Sequence, residues 1–218
     1  MNDEKRQKSS NIVKKKYALF ASLYDFLNNI PAGSNEAKMR QLAWSKADGS
    51  NVLEVGIGTG LNIPYYPAGV QITGIDFSEN MLDRAKGKAI KQDKGIQLKL
   101  MDIQDMEFED NTFDTVVGTF IFCTVPDPIR GLTEVRRVLK PGGKLVLLEH
   151  VISDNQILAR IMNLFNPVVL WMFVGNINRQ TVENVIKNGF VIEKVTSAGG
   201  SDKLIETRKQ PFTGRNYT

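Results

Sequence analysis

Cysteine and histidine are almost absent from this chain. Its 218 residues include one cysteine and one histidine. A single cysteine cannot form an intrachain disulfide, which excludes a secreted scaffold held together by disulfides. Because zinc and most transition-metal sites are built from cysteine and histidine, there is also almost no material for such a site. We therefore expect no metal.

Long apolar runs are absent as well. The longest, residues 167–174, would span about 12 Å as a helix, less than half of a bilayer core. It therefore cannot cross a membrane, and it forms either part of the core or an apolar lid over a greasy substrate. The charged N-terminus lacks the apolar centre of a secretory signal. We expect a cytoplasmic protein.

The net charge is small and lies at one end of the chain. Lysine and arginine number 28 and aspartate and glutamate 24, which gives a formal charge of +4. Residues 1–16 hold six bases and two acids, a balance of +4, so the rest is near neutral. Residues 17–27 follow with apolar side chains at helical spacing. Such a basic amphipathic helix either lies on an anionic membrane or packs on its own domain.

One stretch carries most of the functional information. Residues 51–55 form a short apolar run typical of a buried strand, and they lead into residues 56–60, Gly-Ile-Gly-Thr-Gly. Glycines there permit a tight turn and let a ligand approach bare backbone. A second apolar run ends at Asp76, 20 residues after Gly56, where a carboxylate can accept hydrogen bonds from ribose hydroxyls. The stretch predicts a nucleoside pocket.

The glycine spacing indicates which nucleoside binds. A dinucleotide fingerprint requires G-x-G-x-x-G, whereas this chain has G-x-G-x-G. Glu54, just before the turn, suits a cationic group better than a polyphosphate. The combination of Glu54, this spacing and Asp76 resembles the first motif and its partner acid in class I S-adenosylmethionine-dependent methyltransferases. The resemblance covers residues 17–206 and implies an enzyme that uses S-adenosyl-L-methionine and releases S-adenosyl-L-homocysteine.

Strand and helix patterns alternate along the chain. This alternation predicts an α/β fold, a doubly wound and mostly parallel sheet with helices on both faces. Two last strands after the fifth are similar to the end of the seven-stranded, Rossmann-like sheet of class I methyltransferases. The strands are predicted at residues 52–55, 71–75, 96–101, 113–118, 144–149, 190–195 and 203–206.

Helix boundaries follow from capping residues. Ser78 and Asp127 are predicted N-caps, and Asn178 is predicted to cap a helix over residues 179–187. A Pro-Gly-Gly turn at residues 141–143 should end the helix that Asp127 begins. That helix is expected to turn four apolar side chains toward the core: Ile129, Leu132, Val135 and Leu139.

We expect a single methyltransferase domain over residues 1–218. Residues 1–16 would form a basic, partly mobile segment and residues 17–46 the N-terminal helices. Residues 153–177 would form a helical lid.

The resemblance also implies where the cofactor lies. Ligands of parallel sheets bind outside the carboxyl ends of the strands. Asp76 would hold the ribose, Asp102 and Ile103 the adenine, and Phe77 and Met81 would pack near the adenosine. The expected cofactor residues are Glu54, Gly56, Ile57, Gly58, Gly60, Asn62, Asp76, Phe77, Met81, Asp102, Ile103, Thr119 and Phe120.

The acceptor side should follow the fourth strand, where Phe122 and Cys123 would line the substrate. Nothing in the sequence near Cys123 lowers a thiol pKa, so it is expected to be an apolar lining residue. Glu149 could accept a hydrogen bond from a substrate amine, and His150 is either a general base or structural.

Aromatic rings could also serve the acceptor. The ring faces of Tyr17, Tyr24, Phe120 and Phe122 could meet a cationic centre or simply pack in the core. The candidate catalytic residues are thus Tyr17, Tyr24, Glu149 and His150. No Ser/His/Asp order, metal motif or G-x-x-x-x-G-K-[ST] loop is present.

Within the class, four segments resemble bacterial phosphatidylethanolamine N-methyltransferases. They are residues 58–67, 125–128, 148–150 and 178–181. This branch implies methyl transfer to an ethanolamine headgroup, with Asn178 and Arg179 binding substrate and the basic N-terminal helix placing the enzyme peripherally on the inner face of the cell membrane. Related branches methylate quinone rings or small alkyl thiols.

Two alternatives lie outside the class. One is a nicotinamide-dependent oxidoreductase. The other is a nucleic-acid-binding module that uses the basic N-terminus, but the chain has no basic, aromatic-interleaved patch beyond residue 16. We expect no nucleic acid partner and a monomer.

Overall fold

The computed structural model describes residues 34–152, 156–157, 160–162, 164, 166, 176 and 178–210. The predicted basic helix and most of the predicted lid therefore lie outside the described residues. Among the described residues, no helix is long and apolar enough to cross a bilayer. The α-helices whose bounds are described are α1 (Asn35–Trp44), α2 (Glu79–Lys91), α3 (Pro128–Val138) and α4 (Thr181–Lys187).

Seven strands form one sheet. They are β1 (Asn51–Val55), β2 (Gln71–Asp76), β3 (Ile96–Leu100), β4 (Phe113–Thr119), β5 (Leu139–His150), β6 (Phe190–Gly199) and β7 (Asp202–Lys209). The strand order is β3-β2-β1-β4-β5-β7-β6. β1 to β5 pair in parallel, whereas β7 runs antiparallel between β5 and β6. The predicted doubly wound, mostly parallel α/β fold is confirmed. Because the order reverses between β1 and β4, their carboxyl ends leave a crevice for a ligand.

The central strands of the sheet are buried on both faces. Successive residues of a strand point to opposite sides, so Leu53 joins one apolar layer and Val52 the other. Leu132 of α3 covers the first layer, and Trp44 of α1 and Ala85 of α2 cover the second. These two layers fix the strand ends that carry the polar residues described below.

Four boundary predictions need correction. β5 begins at Leu139, and residues 141–143 form an irregularity within it rather than a turn before it. α4 begins at Thr181 with Gln180 as N-cap, because the carbonyl of Arg179 accepts a hydrogen bond from the Ile152 N–H. β6 and β7 are both longer than predicted. Ser78 occupies the N-cap position of α2, but its side chain makes no capping hydrogen bond.

The prediction that Ile129 faces the core is wrong. Its side chain is 42% exposed, whereas Leu132, Val135 and Leu139 are fully buried as predicted. Ile129 lies in the first turn of α3, whereas it is at Gly131 that an added Cβ would come within 3.4 Å of the core ring of Phe122.

This contrast gives a matched pair of substitutions. Leu132→Ala should lower the free energy of unfolding by about 2–5 kcal/mol, because it leaves a cavity in a closed layer. Ile129→Ala, on the same helix, should change it by less than about 1 kcal/mol. Urea denaturation of both variants measures the difference. Equal losses would contradict the assigned orientation of α3.

Candidate functional site

Two adjoining cavities lie at the carboxyl ends of the parallel strands. One has a volume of ≈ 390 Å³, open solvent included, and lies beside Asp102 and Ile103. The other, of ≈ 420 Å³ on the same measure, lies beside Met81 and Phe120. Residues that line both are Gly56, Asp76, Phe77, Ile121 and Thr124. A ligand with two ends could therefore run from one cavity into the other.

The glycine turn after β1 shapes the floor of this cleft. Gly58 has a φ of +56°, which favours glycine, and a Cβ there would meet no atom closer than 4.0 Å. Gly60 has a φ of +78°, and a Cβ there would lie 2.5 Å from Ile63 Cδ1 and 3.1 Å from the Cα of Ala85. Gly58 thus leaves open space beside the turn, and Gly60 lets the turn pack closely against α2.

Asp76 lies at the junction of the two cavities. Its Oδ2 accepts a hydrogen bond from the Gly58 N–H at 3.0 Å, and its Oδ1 accepts one from the Ser78 N–H at 2.9 Å. Burial raises the pKa of this carboxyl group to about 6, and the backbone hydrogen bonds oppose that rise. An ionised carboxylate has about four acceptor positions, so a hydroxyl group of a ligand could still donate to Asp76.

Glu54, beneath the turn, is fully buried. Its Oε1 accepts a hydrogen bond from Asn62 Nδ2 at 2.6 Å, and its Oε2 accepts one from the Tyr66 hydroxyl. Burial raises the pKa of Glu54 to about 7, against the opposing effects of these hydrogen bonds and of Arg40. A cation bound nearby would favour the ionised form of this carboxyl group.

Arg40 completes the polar network and is only 3% exposed. Its Nη1 donates to Asn62 Oδ1 and to Thr119 Oγ1, both at 2.9 Å. Its Nε and Nη2 donate to Glu36 at 3.0 and 2.8 Å, and its guanidinium lies 5.1 Å from the ring centroid of Phe120. The cleft therefore has a buried positive group beside Thr119 and Phe120, suited to an anionic end of a ligand.

Comparison with known proteins identifies this arrangement. A family model described as a methyltransferase domain matches residues 53–147. Phosphatidylethanolamine N-methyltransferase of Cereibacter sphaeroides is 40% identical over 144 residues, which cover 64% of this chain and 69% of that protein. The chain belongs to the class I S-adenosylmethionine-dependent methyltransferases.

The chain is also similar to other methyltransferases. Demethylmenaquinone methyltransferase of Staphylococcus aureus (strain JH9) is 37% identical over 157 residues, covering 68% of this chain and 64% of that protein. The crystal structure of a methyltransferase from Methanosarcina mazei matches with a TM-score of 0.64 at 23% identity, over 78% of this chain and 97% of that one. The latter likeness supports the fold alone.

The cleft of this methyltransferase fits S-adenosylmethionine by the chemistry of its donors and acceptors. Asp76 offers acceptors for the ribose hydroxyls, and the buried charge of Glu54 is opposite in sign to a sulfonium or an ammonium. The positive charge of Arg40, beside Thr119 and Phe120, is opposite in sign to a carboxylate. Nine of the thirteen expected cofactor residues line one or both cavities: Gly56, Gly58, Asp76, Phe77, Met81, Asp102, Ile103, Thr119 and Phe120.

The other four expected residues lie behind the cleft. Glu54 and Asn62 bond to each other, and Gly60 faces α2. The side chain of Ile57 packs into the core over Gly74, so it lines neither cavity. Gly74 of β2 has no side chain, so it leaves the space that the Ile57 side chain occupies.

The acceptor side differs from the prediction at Phe122. This ring is 1% exposed and belongs to the core layer under α3, so it does not line the substrate side. Cys123 is partly exposed, its Sγ lies 3.4 Å from the Phe120 carbonyl, and burial raises the pKa of its thiol, in keeping with an apolar lining role. Tyr17 and Tyr24 lie outside the described residues.

Glu149 supports the loop after β4. Its Oε1 accepts hydrogen bonds from the N–H groups of Ile121 and Phe122 at 3.0 and 3.1 Å. The side chain is fully buried, which raises its pKa to about 7, and no described residue donates to Oε2. The contacts shown are thus those of a loop anchor, and a bond to a substrate amine stays a prediction.

Arg179 joins two loops at the acceptor side. Its Nη2 donates to the Val125 carbonyl at 2.7 Å, and its own carbonyl accepts from the Ile152 N–H at 3.0 Å. Neighbouring Asn178 is half-buried. Arg179 therefore holds the segment after β4 against the end of β5.

His150 has two partners that the sequence analysis did not identify. Its Nδ1 lies 2.5 Å from Asp202 Oδ1, and its Nε2 lies 2.9 Å from Ser201 Oγ. No Ser/His/Asp order was visible in the sequence, since the antiparallel pairing of β5 with β7 brings these residues together.

The sequence also gave no prediction for three further polar residues of the site, Arg40, Tyr66 and Gln104. Gln104 donates from both its backbone N–H and its amide to Asp102. The burial of Arg40 could have been predicted, because it shares a helical face with Ala37 and Trp44, which are buried. An arginine on an otherwise apolar helical face indicates a buried polar network.

Asp76 provides the test of the cofactor site. Asp76→Ala should weaken S-adenosylhomocysteine binding at least about tenfold, since hydrogen bonds to a charged group contribute about 1.5–3 kcal/mol. Asp83→Ala, in the exposed part of α2, is the matched control and should bind as the wild type does. Isothermal titration calorimetry measures both affinities, and equal affinities would contradict this assignment of the site.

Proposed function

We propose that this methyltransferase N-methylates phosphatidylethanolamine or its methylated derivatives at a membrane surface. The main support for the proposal is that three of the segments resembling phosphatidylethanolamine N-methyltransferases lie together in the structure. Val125, the end of β5 and Arg179 are far apart in sequence, yet Arg179 contacts the first directly and pairs with Ile152 just after the second. The relative from Cereibacter sphaeroides supports the same acceptor class.

The residues around the acceptor suit an amine. When bound, S-adenosylmethionine supplies a methyl group already activated on a sulfonium. The chain has to hold the amine in line with that group, exclude water and accommodate positive charge. Glu149 and His150 at the end of β5 supply groups whose pKa values are raised, Glu149 by burial and His150 mainly by the hydrogen bond to Asp202. Such groups can exchange a proton near neutral pH.

Attachment to a membrane is the second part of the proposal. The six bases of residues 1–16 and the apolar pattern of residues 17–27 suit an anionic lipid surface. The enzyme would then work as a monomer, peripherally on the inner face of the cell membrane, with residues 153–177 as a lid over the acceptor.

A quinone ring is the second candidate acceptor. The relative from Staphylococcus aureus favours it, since that match covers slightly more of this chain than the lipid enzyme does. A small alkyl thiol is a third acceptor within the same class.

An acceptor panel tests the proposal. The full chain is incubated with methyl-labelled S-adenosylmethionine and vesicles that contain phosphatidylethanolamine, a demethylated quinone or an alkyl thiol. We expect label in phosphatidylethanolamine and its methylated derivatives, resolved by thin-layer chromatography. Label found only in the quinone or the thiol would overturn the lipid acceptor and leave the methyltransferase class intact.

Anionic vesicles test the proposed attachment to a membrane. A chain without residues 1–16 should bind less to vesicles rich in phosphatidylglycerol, and should keep its affinity for S-adenosylhomocysteine. Undiminished vesicle binding would remove the membrane role from this segment.

A further inference from the structure

We propose that Ser201, His150 and Asp202 form a proton relay on the acceptor side, in which Ser201 Oγ takes the ammonium proton of an amine acceptor. The inference rests on the proposed N-methylation, and it names the groups that make the amine nucleophilic. Ser201 would be a catalytic residue, because it touches the substrate, and Asp202 a positioning residue, because it acts through His150.

The backbone fixes all three side chains. His150 ends β5 and pairs directly with Asp202 in the antiparallel register of β7. Side chains of directly paired residues lie on the same face of a sheet, which places the carboxylate beside the imidazole. Ser201 precedes Asp202 in the tight turn between β6 and β7, and its carbonyl accepts a hydrogen bond from the Val151 N–H at 3.0 Å.

The hydrogen bonds determine which imidazole nitrogen is basic. An ionised carboxylate only accepts hydrogen bonds, so Asp202 Oδ1, 2.5 Å away, requires a proton on His150 Nδ1. In the neutral imidazole Nε2 then has the lone pair and accepts the Ser201 O–H, at 2.9 Å. In the imidazolium Nε2 donates to Ser201 Oγ instead. One arrangement therefore serves both protonation states.

The surrounding charges stabilise the protonated imidazole. The hydrogen bond to Asp202 raises the pKa of His150 above its ordinary value, burial opposes this, and the charges of Asp202 and Glu149 add to the rise. Lys203 is paired with Glu149, so the alternation of β7 places it on the opposite face from His150. His150 is thus a stronger base than a free imidazole.

The cluster is open to a substrate, unlike Glu149 next to it. The His150 side chain is 41% exposed and that of Asp202 30% exposed. It lies at the end of β5, beside the segment after β4, where the Phe120 N–H donates to the Leu148 carbonyl at 2.7 Å. Phe120 lines the cavity assigned to the cofactor, and its partner Leu148 precedes His150 by two residues on the same face of β5, so the relay lies on the strand next to that cavity.

The proton movements balance. The ammonium of the acceptor donates its proton to Ser201 Oγ while the hydroxyl proton moves to His150 Nε2. The electron pair of the broken N–H bond stays on the amine nitrogen as the lone pair that bonds to the methyl carbon. The charge of the imidazolium is balanced by Asp202, and the proton then leaves to water. The same cycle deprotonates each methylated ammonium before the next transfer.

The single histidine makes the geometry directly measurable in the full chain, because one imidazole gives one set of NMR signals. We expect His150 to titrate above the ordinary value near 6.5 and its neutral form to carry the proton on Nδ1. Asp202→Asn should lower the pKa of the imidazole and weaken the preference for that tautomer. A pKa unchanged by Asp202→Asn would overturn the relay.

Methyl transfer to phosphatidylethanolamine vesicles across a range of pH tests the role of Ser201. Ser201→Ala should lower kcat about 100-fold with little change in KM, the contribution typical of a positioned acid–base group. Ser201→Thr keeps a hydroxyl and should restore most of the rate. Ser197→Ala, exposed on the same hairpin, is the control and should match the wild type.

The pH profile separates a relay from a structural clip. The acidic limb of kcat should follow the pKa of His150 measured by NMR and should move to lower pH in Asp202→Asn. Full activity of Ser201→Ala, or equal losses in Ser201→Ala and Ser201→Thr, would overturn the proposal. If the wild type methylates no ethanolamine lipid, the proposed function fails, and the relay is then decided by the imidazole titration alone.

Discussion

The burial of the Glu54 carboxyl group is the constraint on which the site depends. A carboxyl group placed inside a protein is costly unless hydrogen bonds compensate for the lost water. Asn62 and Tyr66 supply these bonds, so the chain after the glycine turn has to fold back beneath β1. Tyr66 in turn packs on Trp44 of α1, with ring centroids 4.3 Å apart. The buried carboxyl group of Glu54 thus connects the glycine turn to α1.

The hydrogen bonds of Glu54 also reach the polar residues of the cleft. Asn62 links Glu54 to Arg40 and Thr119, so the positive group at the cleft and the end of β4 share one set of hydrogen bonds. Glu54, Asp76 and Glu149 are three buried carboxyl groups near the same edge of the sheet, and burial raises the pKa of each. This edge is therefore prepared for a cationic ligand, which favours ionisation of such groups.

The parts of the fold set by local patterns could be predicted from the sequence. The apolar run at β1, the glycine spacing and Asp76 indicated the cleft, because each of these features is recognised from residues close to it in the sequence. The side-chain directions of Ile57 and Phe122 were not predicted, because the first fills space left by Gly74 and the second packs in a core layer built from strands that are distant in sequence. Partners such as Ser201 are set by strand register, which no local pattern specifies.

Proton release on cofactor binding should follow directly from the burial of the Glu54 carboxyl group. Near pH 7 a substantial part of Glu54 is protonated in the free protein, since its pKa is about 7. Calorimetric titration with S-adenosylmethionine in buffers of different ionisation enthalpy counts the protons exchanged. We expect proton release, which should be smaller for the uncharged sulfur of S-adenosylhomocysteine and reduced in Glu54→Gln. Binding enthalpies that are independent of the buffer would contradict it.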